Sequence, residues 1–110
     1  MSRTIITNSG SEFFTNINSE MLIGELCKIV GAKFFMFKFG MMEEVKMAYS
    51  MTEKETIDAS DKLKTLYDRL DEIYPKLSHY FDKDCNTNHL KEFLDYYIEC
   101  LMNSKGYECI

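Results

Sequence analysis

The chain has 110 residues and a net charge of −5, with 45% apolar and 28% charged residues. That size points to one domain over residues 1–110, with about two thirds of its surface buried on folding. The apolar share excludes a disordered chain, and the acidic balance argues against phosphate-backbone binding as the main activity.

The first ten residues are polar with a single Arg3, and they lack the apolar stretch of a secretory signal. Ser at position 2 and Cys109 one place before the last residue fit neither a myristoylation nor a prenylation motif. Apolar runs are too short for a transmembrane helix, the longest being broken by Lys33 and Lys38. The expectation is a cytoplasmic protein with no membrane partner.

The chain opens on a β-hairpin. Thr4–Thr7 and Glu12–Thr15 are β-branched or aromatic runs, and Asn8-Ser9-Gly10-Ser11 between them is turn chemistry. A helix follows, capped by Asn18 or Ser19, with Glu20 in its first turn where the dipole favours an anion. Leu22, Leu26, Ile29 and Val30 form its apolar stripe, Cys27 lies beside it, and Gly31 is placed to end it.

Residues 32–51 read two ways. Phe34–Phe39 and the alternating Val45, Met47, Tyr49 and Met51 suggest a second hairpin around Gly40–Glu43. Met41, Met42, Glu43, Glu44, Lys46, Met47 and Ala48 are good helix formers and support the opposite reading.

Thr52 with Glu55 three residues on is a capping box. A heptad seam then runs from Lys62 to Phe81. Leu63, Leu70 and Leu77 share one core position, and Leu66, Ile73 and Tyr80 share the other. Tyr67, Tyr74 and Phe81 flank the seam on one side, and Lys62, Arg69 and Lys76 on the other. Pro75 is expected to kink or break the helix. After the polar turn at Asp82–Asn86, Thr87 or Asn88 caps a last helix with a seam of Leu90, Phe93, Leu94, Tyr97 and Leu101. Gly106 is the expected C′ residue, and residues 107–110 read as a short tail. The fold class is a small α+β domain: one or two N-terminal hairpins, an N-terminal helix and a C-terminal antiparallel helical hairpin. The alternative is an all-α bundle.

Charges in residues 1–50 cancel, so the whole −5 lies in residues 51–110. A solvated helix face accounts for this pattern, and an acidic surface for a basic partner is the functional alternative. His79 and His89 have no neighbours that identify a nucleophile, and the scattered glycines form no phosphate loop. The sequence therefore offers no catalytic residue and no cofactor.

Cys85, His89, Cys100 and Cys109 could be read as zinc ligands, but only the first pair has close spacing. Free thiols used as small apolar residues are the plainer reading, so no metal site is assigned.

Aromatic residues beside basic ones make interface anchors, and methionines make adaptable apolar surfaces. The expected function is a non-enzymatic interaction module, an adaptor or inhibitor that occludes a larger protein. Its partner-binding residues would be Tyr67, Arg69, Tyr74 and Lys76, with Met41 and Met42 as a second patch. The alternatives are a nucleic-acid-associated regulator dimerising through the C-terminal helices, and a small zinc module.

Overall fold

The computed structural model describes residues 2–32 and 49–109. Its elements are β1 (Ser2–Ile6), β2 (Glu12–Asn16), α1 (Ile17–Val30), β3 (Tyr49–Thr52), α2 (Glu53–Lys64), α3 (Leu70–Leu77), α4 (Thr87–Ser104) and β4 (Gly106–Cys109). Helix predominates, and the strands form two short antiparallel ladders.

β1 and β2 pair from Ser2↔Asn16 to Ile6↔Glu12, as the alternation of the two runs predicts. The alternation turns Thr15 into the core, and Thr7 just beyond β1 is buried as well. The second hairpin expected within residues 32–51, with its Phe34–Phe39 strand and the Met41 and Met42 patch, lies outside the described residues except at 49–51. There Tyr49–Thr52 is a strand, and its described partner is β4, from Tyr49↔Cys109 to Thr52↔Gly106. Residues 106–109 are thus a strand rather than a tail. Burial of Tyr107 against Met51, with its hydroxyl donating to Met51 Sδ at 3.2 Å, accounts for the ordering. One bridge, Thr7↔Tyr107, links the two ladders.

α1 begins two residues earlier than expected. Asn16 is the N-cap, its side chain accepting from Ser19 N–H at 2.8 Å. Asn ranks with Ser as a cap, and Asn16 already has the extended backbone a cap requires. The buried stripe is Leu22, Ile23, Leu26 and Cys27, whereas Ile29 faces outward. Gly31 ends the helix in the left-handed conformation (φ 71°).

The capping box at Thr52 and Glu55 forms as the spacing predicts, with bonds of 3.0 and 3.2 Å. The seam is buried from Leu63 to Leu77 and only partly at Tyr80: Leu63, Leu66, Leu70, Ile73 and Leu77 pack with Leu90, Leu94, Tyr97 and Leu101 of α4 in one core. The helix expected over 62–81 is nevertheless not continuous. A 3-10 turn spans Thr65–Arg69, α3 follows, and a second 3-10 turn spans Ser78–Tyr80. Pro75 sits inside α3, and the backbone leaves helical values at Arg69 and Leu77, on either side of it. The tighter 3-10 winding keeps a seam spaced by three and four residues facing the core through both breaks.

α4 packs on α2 and α3. Its N-cap is Asn86, not Thr87 or Asn88. Asn88 N–H donates to Asn86 Oδ1 at 2.9 Å, and the Asn86 N–H donates to His89 Nδ1 at 3.0 Å. His89 takes the place that Glu usually holds in a capping box. At the other end Lys105, not Gly106, takes the first left-handed position (φ 56°). Gly106 also has positive φ (94°) and opens β4, where an added Cβ would lie 2.7 Å from the Met51 carbonyl oxygen.

The last carbonyls of a helix have no partner within it. Here the hairpin loop supplies several. Ser9 N–H donates to the Ser104 carbonyl at 2.9 Å, Ser9 Oγ to Asn103 at 2.5 Å, and Asn8 Nδ2 to Lys105 at 3.2 Å. Asn8 N–H adds a bond to the Gly106 carbonyl at 2.9 Å. The turn residues that close the hairpin therefore also finish α4.

Candidate functional site

A 3.6-residue period places Tyr96, Cys100 and Asn103 on one flank of α4 and Lys91 and Asp95 on the other. Each flank is tied to a different part of the chain by a tyrosine hydroxyl.

On the first flank, Tyr96 meets the outer edge of β2. Phe14 N–H donates to Tyr96 Oη at 2.9 Å, and the Tyr96 hydroxyl reaches the Phe14 carbonyl at 3.4 Å. This contact covers the strand edge at Phe14, an edge that otherwise invites pairing with another chain. Burial raises the Tyr96 hydroxyl above its ordinary value, as it does the half-buried Cys100 thiol, which the bond from Tyr96 partly offsets.

A cleft of about 210 Å³ opens beside this contact, lined by Ser11, Glu12, Tyr96, Glu99, Cys100 and Asn103. Thr7, Ser9 and Ser11 form a triangle of hydroxyls at its loop end, with oxygens 2.7 to 3.1 Å apart. The outward face of the hairpin continues from the cleft. Ile6 pairs with Glu12, and Phe14 stands two residues further along β2, so all three share one face. Ile6 and Phe14 are each 64% exposed, and Tyr96 is 40% exposed.

On the second flank, the Tyr67 hydroxyl donates to Asp95 Oδ1, and Lys91 Nζ lies 3.1 Å from Asp95 Oδ2 and 5.9 Å from the centre of the Tyr67 ring. Burial, then the bond and charge of Asp95, hold the Tyr67 hydroxyl well above its ordinary value. The Asp95 carboxyl is held below its own, first by the Tyr67 bond.

Tyr67 therefore serves the packing of the 3-10 turn on α4. Arg69 is exposed and bonded to Glu72 at 3.3 Å. Tyr74 is half-buried, its ring 5.5 Å from that of Phe81. Lys76 is exposed on α3. These four residues lie on two successive elements, and the two aromatic side chains are turned partly into the core. Met41 and Met42 lie outside the described residues.

Among the described residues, no three His, Cys, Asp or Glu side chains come together to hold a metal. His89 Nδ1 accepts the Asn86 N–H, and Cys100 stands eleven residues further along the same helix, about 16 Å away by helical rise. Cys27 is buried, and its thiol is pushed up to about 12 by that burial. No helix among the described residues is long and apolar enough to cross a membrane.

Little in the sequence marks the face formed by Ile6, Phe14 and Tyr96. The available signal was the strand alternation itself, which puts Ile6 and Phe14 opposite to buried Thr7 and Thr15. No protein-family model, no curated protein and no solved structure matches the chain.

Proposed function

We propose that the protein is a non-enzymatic interaction module, an adaptor or inhibitor that binds a larger protein and occludes part of it. The observation that carries this reading is the pair of large apolar side chains, Ile6 and Phe14, held outward on one ladder face beside an acidic cleft. Single exposed apolar residues are ordinary on protein surfaces. Two on diagonal positions of a ladder, bordered by Tyr96 and by the charges of Glu12 and Glu99, resemble the apolar centre and polar rim of an interface.

Relative to the expected site, the emphasis moves from the helix edge to the hairpin face. The Tyr67 hydroxyl is engaged by Asp95, and the Tyr74 ring rests on Phe81. Arg69 and Lys76 remain exposed and suit the rim of a second contact. Dimerisation through the helical seam, which the nucleic-acid reading would use, competes with the chain's own core for Leu63, Leu70 and Leu77.

Affinity capture from cell extract tests the proposal. The double variant Ile6→Thr/Phe14→Thr keeps β-forming residues and removes the apolar surface. Proteins held by the wild type should be lost from this variant while its unfolding midpoint stays unchanged. Retention of every partner by the folded variant would refute the hairpin face. Loss only in Tyr74→Ala/Lys76→Ala would return the site to the helix edge.

A further inference from the structure

We infer that the cleft between the hairpin and α4 receives a basic side chain, best an arginine, from an extended segment of another protein, while an apolar neighbour in that segment packs on Ile6 and Phe14. The inference rests on the interaction role proposed above and names the chemistry of the partner.

Two of the six residues lining the cleft are glutamates, Glu12 and Glu99, and none is Lys or Arg. Among the described residues, neither glutamate enters an ion pair. Two other polar groups of the lining are already engaged. The Tyr96 hydroxyl is held at Phe14, and Ser11 Oγ lies in the hydroxyl triangle. The strongest unmet demand of the cleft is therefore for positive charge. A partner's cation would meet it, and the opposite charges would steer its approach.

Size favours a side chain. The volume of about 210 Å³ lies below the usual range of small-molecule sites, roughly 300–1,000 Å³. Arginine fits best because its planar fork can meet carboxylates and also lie on the face of an aromatic ring such as Tyr96.

Geometry favours an extended segment. Glu12 and Phe14 are two residues apart on one strand face, roughly 6.8 Å along the strand. Side chains two apart in an extended partner have the same spacing, so one can enter the cleft while the other covers Phe14 and Ile6. The β2 edge at Phe14 is bonded to Tyr96. The segment is therefore read by its side chains across the face and not by strand addition at that edge.

The test is fluorescence anisotropy with a short fluorescein-labelled peptide in which arginine and leucine flank a serine. The control peptide carries glutamate in place of arginine. The wild type should bind the arginine peptide saturably, more weakly with added salt, and should not bind the control. Glu12→Gln/Glu99→Gln should weaken binding by about tenfold or more, and Phe14→Thr should weaken it too, each with an unchanged unfolding midpoint. Absence of saturable binding, equal binding of both peptides, or full retention by the glutamine variant would overturn the inference. If the glutamine variant keeps the peptide while Ile6→Thr/Phe14→Thr still loses its cellular partners, the cation site falls and the interaction face stands. A concentration-dependent dimer that Phe14→Thr dissolves would assign the face to a second copy and also overturn the inference.

Discussion

The hydroxyl of Tyr97 lies 2.6 Å from Thr15 Oγ1 in the buried contact between α4 and β2. Its neighbour Tyr96 holds the backbone of Phe14, so two adjacent tyrosines grip two adjacent strand residues. One contact is buried and the other lies at the surface. The hairpin face is thereby fixed to the helical core by polar bonds of defined geometry.

Removing one partner of that buried pair leaves the other without its bond. Tyr97→Phe should destabilise the fold by about 1–2 kcal/mol in urea unfolding, and Thr15→Val by a similar amount. The double variant should cost less than the sum, because both substitutions delete the same bond. Strict additivity would mean that the two hydroxyls do not interact.

Alkaline pH should weaken the fold. The Tyr97 hydroxyl is pushed from 10.0 to about 12, chiefly by burial, and the Cys27 thiol from 9.0 to about 12 by the same cause. Both groups are neutral when protonated, and the folded state holds those protons more tightly than the unfolded chain. Their contribution is fully present below the unfolded values, declines as pH rises above 9.0 and 10.0, and is lost through about 12. The urea midpoint should fall across this window. Cys27→Ala should flatten the decline from its lower end, and Tyr97→Phe only from the higher starting point.

Gly106 and Gly31 both have positive φ but differ in surroundings. A Cβ at Gly31 would meet nothing within 4 Å, whereas at Gly106 it would lie 2.7 Å from a backbone oxygen and 3.0 Å from the Glu53 nitrogen. Gly31→Ala should cost about 1–2 kcal/mol from backbone conformation alone. Gly106→Ala should cost clearly more, about 3 kcal/mol or above, because the backbone at Met51 and Glu53 must move. Thermal unfolding of the two variants checks the order, and equal losses would count against the close packing of β4 on β3.

Tyr67→Phe deletes a hydrogen bond to a carboxylate and should cost about 1.5–3 kcal/mol. Arg69→Ala removes only an exposed pair and should stay within about 0.5 kcal/mol. Neither substitution should change binding at the hairpin face. Loss of partner binding in Tyr67→Phe with unchanged stability would make its hydroxyl part of an interface instead.

Much of the local structure was legible in the sequence. The first hairpin, the Thr52–Glu55 box, the end of α1 at Gly31 and the buried seam of Leu63, Leu66, Leu70, Ile73 and Leu77 all follow from period and capping chemistry. The starts of α1 and α4 lie instead at Asn16 and Asn86, because several adjacent residues are competent caps and only the chain's approach selects among them. β4 is not legible in the sequence because a four-residue strand has little pattern of its own, and its order comes from pairing with β3. Pro75 drew attention to itself, yet the breaks at Arg69 and Leu77 reflect how the segment follows the core. The contacts of the expected anchors were hidden for a similar reason. Residue type marked Tyr67 and Tyr74 as anchors, but only the packed structure reveals that the Tyr67 hydroxyl meets Asp95 and the Tyr74 ring meets Phe81.

The bonds from Asn8 and Ser9 to the end of α4 join residues up to 97 positions apart. Closing so long a loop carries an entropic cost that grows with the logarithm of its length. That clasp cannot form on a growing chain until residues 103–106 have been made. The hairpin loop must therefore wait for that segment, whereas α1 meets α2 earlier along the chain. Folding should accordingly be slow for a chain so rich in helix, with its rate set by this distant closure rather than by the helices themselves.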